Sequence, residues 1–269
     1  MVKPDARREE IISLAATQPE LSVEELAGRF EVTTSTIRRD LARLSAEGRL
    51  ARTYGGAIAR RSHVESSFEE RRSEAAGAKQ AMAACAAELV TPGDTVLLDA
   101  GTSCAALAQT VRSMTPLTVA TVGLGSLQAL AGADGVDVIA LGGRLRHLSQ
   151  GFVGALAEMA LERLTFDICF LGTDAVSSER GICEASLEQI RLKELMVRVS
   201  SRVVVLAHSA KLDERPFHAW IWPGDRWTLI TDDGVTDDQL RRFAARGVEV
   251  LVAERHSDHD DVVGRRVEG

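Results

Sequence analysis

The order of hydrophobic and polar positions near the N-terminus predicts short amphipathic helices. Within residues 32–44, three apolar residues recur at helical spacing and form one stripe: Ile37, Leu41 and Leu44. Two earlier segments, 6–16 and 23–30, carry apolar residues at similar spacing. The pattern therefore predicts three helices that each bury one face.

A glycine-containing hairpin is predicted directly after the third helix. Gly48 stops that helix, and residues 50–58 can form two short strands joined by a pair of glycines. Ser22 and Glu25 have the spacing of a capping box, which marks the start of the second helix. Three helices followed by a two-stranded wing are the layout of a winged helix-turn-helix.

The rest of the chain alternates between short apolar runs and helical patterns. An Ala-rich helix is predicted over residues 79–90, and the most regular helical pattern covers residues 187–199. The predicted strands are 95–98, 117–121, 136–141, 166–171, 202–207, 228–231 and 248–252. Alternating strands and helices with continuously apolar strands imply an α/β fold, a mostly parallel sheet with helices on both faces.

Composition and charge describe a folded chain with two unlike parts. The 269 residues are 45% hydrophobic and carry a net charge of -7, yet residues 29–61 hold eight arginines against three acidic residues. Such an uneven distribution of charge is expected when only one part of a protein binds phosphate groups. Neither an apolar run of about 18 residues nor a signal-peptide core is present, so we expect a cytoplasmic protein without membrane contact.

The polar face of the third helix has the chemistry of a DNA-binding surface. Its hydroxyl and guanidinium groups can bind phosphate and base edges, and Thr33 or Thr34 can cap the helix. An ordinary solvated amphipathic helix is the alternative interpretation of the segment. The candidate DNA-binding residues are Ser22, Thr33, Thr34, Ser35, Thr36, Arg38, Arg39, Arg43, Arg52 and Tyr54.

Residues 3–58 resemble the winged helix-turn-helix of DeoR-family transcription factors. The signature run of that family is matched by Thr36-Ile37-Arg38-Arg39-Asp40-Leu41, and its His-Gly-Gly-Ala wing by Tyr54-Gly55-Gly56-Ala57. Tyr54 is a departure that leaves the turn chemistry intact. The resemblance implies a DNA-binding domain over residues 1–58. The residues that follow are charged and poor in aliphatic side chains, so we expect a linker over residues 59–75 that can include a short helix.

Glycine-containing loops follow several of the predicted strands, where parallel sheets bind their ligands. The loop at residues 99–104 joins a glycine and two hydroxyls to the start of a helix, which can hold a phosphate. A common turn between strand and helix is the alternative. Because similar loops lie at residues 141–144, 172–174 and 207–211, we expect four loops to converge on one site.

The chain from residue 76 to about residue 235 resembles the DeoR-type sensor domain, which is similar in fold to ribose-5-phosphate isomerase. The Leu-Asp-x-Gly-Thr-Thr element of the family is matched by residues 98–103. The resemblance implies a domain over residues 76–252 that binds a phosphorylated sugar or related effector. Three family lysines are matched by Lys79, Lys193 and Lys211, which the resemblance makes candidate partners of the phosphate or a hydroxyl. A solvated surface charge is the commoner role of a lysine and is the alternative. The candidate effector-binding residues are Lys79, Asp99, Gly101, Thr102, Ser103, Thr121, Gly142, Gly143, Arg144, Gly172, Asp174, Lys193 and Lys211.

Two positions depart from the pattern of the sensor domain. Val122 stands where the family commonly has asparagine, and His208-Ser209-Ala210 stands where it has Asp-Ser-Ser. Losing a buried polar contact changes specificity more than losing a methylene does. The identity of the effector is therefore open.

Neither a metal nor a cofactor is expected. The four cysteines show no Cys-x-x-Cys spacing, so the sequence predicts neither a zinc site nor a disulfide framework. A helix N-terminus beside Cys104 could lower the pKa of its thiol, but a buried apolar role is preferred. The histidines and aspartates of residues 256–261 could suggest a metal site, but a solvated tail over residues 253–269 is the preferred interpretation.

Three functional hypotheses follow. The first is a transcriptional regulator, a repressor that acts on double-stranded operator DNA as a symmetric dimer or tetramer under control of a bound metabolite. The second is an enzyme, a sugar-phosphate isomerase with a DNA-binding appendage, with Asp99, Asp174 and Glu184 as candidate bases. The third is a scaffold whose pocket has lost its ligand, which Val122 and His208 suggest.

Overall fold

The structure is a computed structural model that covers two compact units, Met1–Glu65 and Ser66–Gly269. The described residues are 7–8, 10–11, 14, 21–46, 51–53, 56–58, 65–254 and 265–267. Within this part of the chain, no helix combines the length and apolar character that a membrane crossing requires.

The first unit contains helices and strands in the predicted order. Five described residues between positions 7 and 14 are helical, in agreement with the predicted first helix. The elements that follow are β1 (Leu21–Ser22), α1 (Val23–Arg29), α2 (Thr34–Ala46), β2 (Ala51–Thr53) and β3 (Gly56–Ile58). The strands form one antiparallel sheet in the order β1-β3-β2, so Ser22 lies in a strand that the sequence did not predict.

An apolar core holds the first unit together, and α2 supplies the predicted stripe. Ile37, Leu41 and Leu44 are buried and pack with residues of the first helix and of α1. Burying one such side chain contributes about 1.5–3 kcal/mol. The core therefore fixes which face of α2 is turned outward.

A buried ion pair adds a polar tie to this core. The carboxylate of Asp40 on α2 accepts a hydrogen bond from Arg7 Nε at 2.7 Å, and Arg8 lies 3.5 Å from its other oxygen. Asp40 belongs to the signature run, but its side chain points inward. It therefore positions α2 against the first helix.

The second unit is built on a sheet of eight strands. Their bounds are β4 (Thr95–Leu98), β5 (Leu117–Thr121), β6 (Val136–Ala140), β9 (Phe166–Leu171), β12 (Ser200–Leu206), β14 (Thr228–Asp232), β15 (Glu249–Ala253) and β16 (Arg265–Val267). The order is β16-β15-β14-β12-β9-β4-β5-β6, and every neighbouring pair is parallel except β15 with β16. This confirms the predicted mostly parallel sheet.

Helices cover both faces of the sheet, as predicted. The helices are α3 (Phe68–Ser73), α4 (Ala76–Ala87), α5 (Thr102–Val111), α6 (Leu124–Leu130), α7 (Ala155–Leu161), α8 (Leu187–Arg198) and α9 (Asp237–Ala244). Successive residues of a strand point to opposite faces. Accordingly, Leu97 packs in one core with residues of α7, α8 and α9, whereas Leu98 packs in a second core with residues of α4 and α5.

Two small sheets lie outside the main one and were not predicted. One is the hairpin of β7 (Arg144–Arg146) with β8 (Gly151–Val153), and the other joins β10 (Ala175–Ser177), β11 (Gly181–Glu184) and β13 (Ala219–Ile221). These strands have three or four residues each, too few for a clear alternation of apolar and polar positions. Tertiary pairing defines them instead.

The structure differs from two of the predicted domain boundaries. Residues 66–75 of the predicted linker belong to the second unit, because Ser67 and Glu70 form a capping box on α3 and Phe68 is buried. Residues 265–267 of the predicted tail form β16, which pairs with the edge of the main sheet. In both places a charged sequence is held by a few specific contacts.

Candidate functional site

A cleft lies at the carboxyl ends of β4 and β9 in the second unit. Its empty space amounts to about 380 Å³, a volume that includes open solvent at its mouth. Seven of the candidate effector-binding residues line it: Gly101, Thr102, Ser103, Gly172, Asp174, Lys193 and Lys211. Of the four loops that the sequence predicts to converge, those at residues 99–104, 172–174 and 207–211 contribute to the lining.

The N-terminus of α5 forms one wall of the cleft. Gly101 precedes the helix with a φ of 111°, a backbone conformation that glycine adopts without strain. The first amides of a helix have no acceptor within the helix, and Gly101 has no side chain to cap them. Together with the hydroxyls of Thr102 and Ser103, these amides can bind the oxygens of an anion.

A buried ion cluster forms the floor of the cleft. The ammonium of Lys193 on α8 donates to the carboxylate of Asp99 and, at 2.8 Å, to the carbonyl oxygen of Gly172. Glu184 lies 3.1 Å from the same ammonium. Asp99 also accepts a hydrogen bond from the amide of Gly172 at 3.1 Å. These contacts fix the loops after β4 and β9 relative to each other.

Burial and neighbouring charges shift two pKa values in this cluster. Burial lowers the pKa of Lys193, but Asp99 and Glu184 outweigh burial and raise it above its usual value. Burial also raises the pKa of Glu184 to about 8, against the opposing effect of Lys193. Lys193 already has anionic partners inside the protein.

Arg71 reaches the cleft from α3, which lies in the segment predicted to be a linker. One guanidinium nitrogen lies 3.1 Å from Asp174 Oδ1, and another donates to the carbonyl oxygen of Leu148 at 2.8 Å. The second oxygen of Asp174 accepts from the amide of Ala185 at 3.1 Å. Arg71 thus connects α3 to two loops of the cleft.

Lys211 supplies a further cation beside this pair. Its ammonium donates to the carbonyl oxygen of Thr173 at 2.6 Å, and burial lowers its pKa. The backbone carbonyl leaves the positive charge of Lys211 only partly balanced, although Asp174 opposes the effect of burial. Lys211 can therefore take part in binding an anion.

Six candidate effector-binding residues do not line the cleft. The ammonium of Lys79 donates to the carbonyl oxygens of Arg71 and Glu74 at the end of α3, and burial lowers its pKa to about 8. Asp99 lies behind the lining in the ion cluster. The other four are Thr121, Gly142, Gly143 and Arg144.

Each of these four has a structural explanation. Thr121 is fully buried, and its hydroxyl accepts from the amide of Gly123 at 3.0 Å. Residues 142–144 lead into β7, whose pairing with β8 holds this loop outside the lining, and Arg144 forms an exposed ion pair with Glu188 at 2.5 Å. The loop at residues 141–144 therefore does not join the other three.

Six residues of the lining were not among the candidate effector-binding residues, although Ala100 and Thr173 lie in two of the predicted loops. The spacing Ser67-x-x-Glu70 is that of a capping box, which would have predicted α3 and thus a defined position for Arg71. Glu184 had been considered only as a candidate base for an enzyme. The missed residues are Arg71, Ala100, Ser149, Thr173, Glu184 and Gln189.

The departures from the family pattern lie outside the lining. Val122 is fully buried in one of the two main cores, and His208 directly precedes the short 3₁₀ turn at Ser209–Lys211. Cys104 is buried as well, and burial raises the pKa of its thiol. None of these three residues contacts the space of the cleft.

The start of α2 in the first unit presents the predicted DNA-binding chemistry. The hydroxyl of Thr33 accepts from the amide of Thr36 at 3.3 Å, so Thr33 is the cap. Ser35 is exposed, and its hydroxyl lies 2.8 Å from that of Thr33. Arg38 and Arg39 are exposed on the face opposite the apolar stripe. The helix start therefore presents amides, hydroxyls and guanidinium groups together.

Several predicted residues lie outside what the structure describes. Tyr54 and the histidines of residues 256–261 are outside the described residues, as is the predicted stop at Gly48. The backbones of Ser22, Arg43 and Arg52 are described, but their side chains are not.

Two family models match the chain in succession. A DeoR-like helix-turn-helix domain matches residues 7–63, and a DeoR C-terminal sensor domain matches residues 74–233. The two matches leave a gap of ten residues, which contains α3.

Curated relatives resemble the chain over nearly its whole length. A candidate repressor of the aga operon from Escherichia coli O157:H7 is 36% identical, over 91% of this chain and 93% of the relative. The transcriptional regulator GlpR of Haloferax volcanii is 31% identical, over 92% and 97%. Since these relatives are regulators of transcription, the comparisons favour a regulator over the isomerase hypothesis.

A solved structure resembles part of the chain more distantly. Ribose 5-phosphate isomerase A from Methanocaldococcus jannaschii is 16% identical, with a TM-score of 0.37, over 50% of this chain and 53% of the isomerase.

Proposed function

The chain belongs to the DeoR family of transcriptional regulators, and we propose that a phosphorylated sugar or related anion binds the cleft and controls how the protein binds operator DNA. The first unit supplies the DNA-binding helix α2. The second unit supplies the effector site. We favour a repressor that releases DNA when the effector binds.

One observation carries the proposal for the effector. The start of α5, whose amides have no side-chain cap, lines the same cleft as the cations Arg71 and Lys211. A phosphate group can accept several hydrogen bonds from such amides and pair with a guanidinium or an ammonium. A small dianion with a polar body is therefore the ligand class that this cleft fits best.

The position of Arg71 indicates how effector binding in the cleft can change the segment next to the DNA-binding unit. The helix α3 follows the DNA-binding unit in the chain, and Lys79 holds its last carbonyls. An anion that draws Arg71 away from Asp174 would shift α3 and the chain that precedes it. An effector can transmit a signal only if it binds two arrangements of the protein with different affinity.

We also propose a homo-oligomer that acts in the cytoplasm. Regulators of this kind bind two half-sites of an operator with two symmetric copies of the DNA-binding unit. Light scattering of the purified protein, alone and with DNA, measures the number of copies.

A thermal-shift screen tests the effector. A ligand that binds only the folded protein raises the melting temperature, by an amount that grows with concentration. We expect some pentose or hexose phosphates to raise it and the corresponding unphosphorylated sugars to have no effect. No shift from any sugar phosphate at millimolar concentration would contradict the proposal, because a dedicated effector site should be filled under those conditions.

A further inference from the structure

We propose that Gln189 and Ser149 recognise the hydroxyl-bearing body of the effector, and that this pair selects among anions of the same charge. The inference rests on the proposed function, because it assigns the part of the cleft that an anion alone would leave unused.

Both residues line the cleft and are buried, yet each carries a polar atom without a partner. The side-chain carbonyl oxygen of Gln189 and the hydroxyl of Ser149 accept and donate no hydrogen bond within the described part of the protein. Gln189 is 7% exposed and Ser149 is 3% exposed. Leaving a buried polar atom unpaired costs stability, so such an atom in the lining of a cleft calls for an explanation.

Rigid surroundings hold the two residues in place. Gln189 lies one helical turn before Lys193 on α8, and Lys193 is fixed by the ion cluster. Ser149 lies in the turn between β7 and β8, next to Leu148, whose carbonyl oxygen accepts from Arg71. Two separate elements thus each bring one buried residue with an unpaired polar atom to the lining of the same cleft.

The chemistry of the two groups defines the ligand more narrowly than charge does. A carbonyl oxygen only accepts hydrogen bonds, so the ligand must present a donor to Gln189. The dianion of a simple phosphate monoester has no donor, whereas a sugar hydroxyl both donates and accepts. The pair therefore fits a polyhydroxylated phosphate and does not fit a simple phosphate monoester.

The test uses the whole protein and two kinds of probe. The first is the sugar phosphate that gives the largest thermal shift in a panel of ribose 5-phosphate, fructose 6-phosphate and glucose 6-phosphate. The second is methyl phosphate, which has the same anionic group and no hydroxyl. Calorimetry gives both dissociation constants for wild type, Gln189→Met and Ser149→Ala. Matched controls are Gln128→Met and Ser113→Ala, because both residues are exposed and lie outside the cleft.

We expect each variant to weaken binding of the sugar phosphate about tenfold, the effect of losing one buried hydrogen bond to a ligand. Binding of methyl phosphate should not change, and the controls should behave as wild type. Unchanged binding of the sugar phosphate, or an equal loss for methyl phosphate, would overturn the inference. The inference would also be overturned if wild type bound methyl phosphate as tightly as every sugar phosphate. That result would still support the proposed anion site. If neither probe binds wild type, the proposed function fails and the inference fails with it.

A second measurement separates recognition from a structural role. Without any ligand, replacing the polar atom of Gln189 by the thioether of methionine removes an unpaired buried group, so the melting temperature should rise or stay the same. A fall of several degrees would show that Gln189 stabilises the fold, and would also overturn the inference.

Discussion

Arg71 and Asp174 form an ion pair of 3.1 Å between a helix at the start of the second unit and a loop of the cleft. Both side chains are largely buried, which makes the pair more than a surface contact. It places a residue from the segment between the two matched domains inside the site where an effector would bind. Arg71 therefore connects the proposed effector site with the segment that follows the DNA-binding unit in the chain.

Arg71→Ala should weaken effector binding. A guanidinium that pairs with phosphate contributes more than a neutral hydrogen bond, so we expect a loss of about tenfold or more in affinity for the sugar phosphate. Calorimetry measures the loss. Arg72→Ala is the matched control, because Arg72 is exposed and pairs only with Glu69 of the same helix among the contacts described. If both variants bind the sugar phosphate with equal affinity, Arg71 does not contribute to effector binding.

Lys193→Met should destabilise the second unit strongly. The substitution leaves Asp99 buried without its cationic partner, and breaking a buried pair in this way typically costs about 3–5 kcal/mol. Denaturant unfolding gives the change in free energy. Arg198→Met is the control, since Arg198 is exposed at the end of the same helix. A loss below about 1 kcal/mol would contradict the structural role assigned to the ion cluster.

Glu184→Gln should change how stability depends on pH. The pKa of Glu184 is raised to about 8 in the folded protein, so the folded state binds a proton that the unfolded state releases near pH 4.5. Stability from this group is therefore present at low pH and is lost as the pH rises toward about 8.

Melting temperatures of wild type and Glu184→Gln between pH 4 and pH 9 measure this effect. Because glutamine does not titrate, the stability of wild type relative to the variant should fall by at most about 1.4 kcal/mol per pH unit across that window. A constant difference from about pH 5 to about pH 8 would show that Glu184 titrates normally.

Arg39→Ala should weaken DNA binding without unfolding the first unit. Arg39 is exposed on α2, opposite the buried stripe, and a lost phosphate contact should reduce the slope of affinity against salt by about one. Anisotropy with a duplex that the protein selects from a random pool gives both quantities, and circular dichroism checks the fold. Arg180→Ala, exposed in the second unit, is the control. Wild-type affinity in Arg39→Ala at physiological salt would count against α2 as the DNA-binding helix.

The sequence predicts the regular part of the fold well. Strands such as β9 and β12 are long, and the last four residues of each are apolar and buried, so their own residues identify them. The helix α2 has both a clear stripe and a capping threonine. In each case the signal is local and repeated along the segment.

The sequence predicts the site only in part, because much of the site depends on contacts between distant segments. Gly101 and its neighbours belong to one loop and are recognisable as such. No residue near Arg71 in the chain indicates that Arg71 forms an ion pair with Asp174, which is 103 residues away. Likewise, Gln189 is an unremarkable position on a helix until the cleft next to it is known. Lys79 and Lys193 match family lysines, but their ammonium groups contact protein groups, a backbone carbonyl oxygen for Lys79 and a carboxyl group for Lys193.

The most direct test of the account is the affinity of the full chain for its selected duplex, with and without the sugar phosphate that binds most tightly. Fluorescence anisotropy would compare wild type, Arg71→Ala and the control Arg72→Ala at saturating sugar phosphate for each protein. We expect the sugar phosphate to weaken the affinity of wild type and Arg72→Ala for DNA at least fivefold. The affinity of Arg71→Ala for DNA should stay nearly unchanged. If wild type does not respond, or Arg71→Ala responds as wild type does, the link from the cleft through Arg71 to DNA is contradicted.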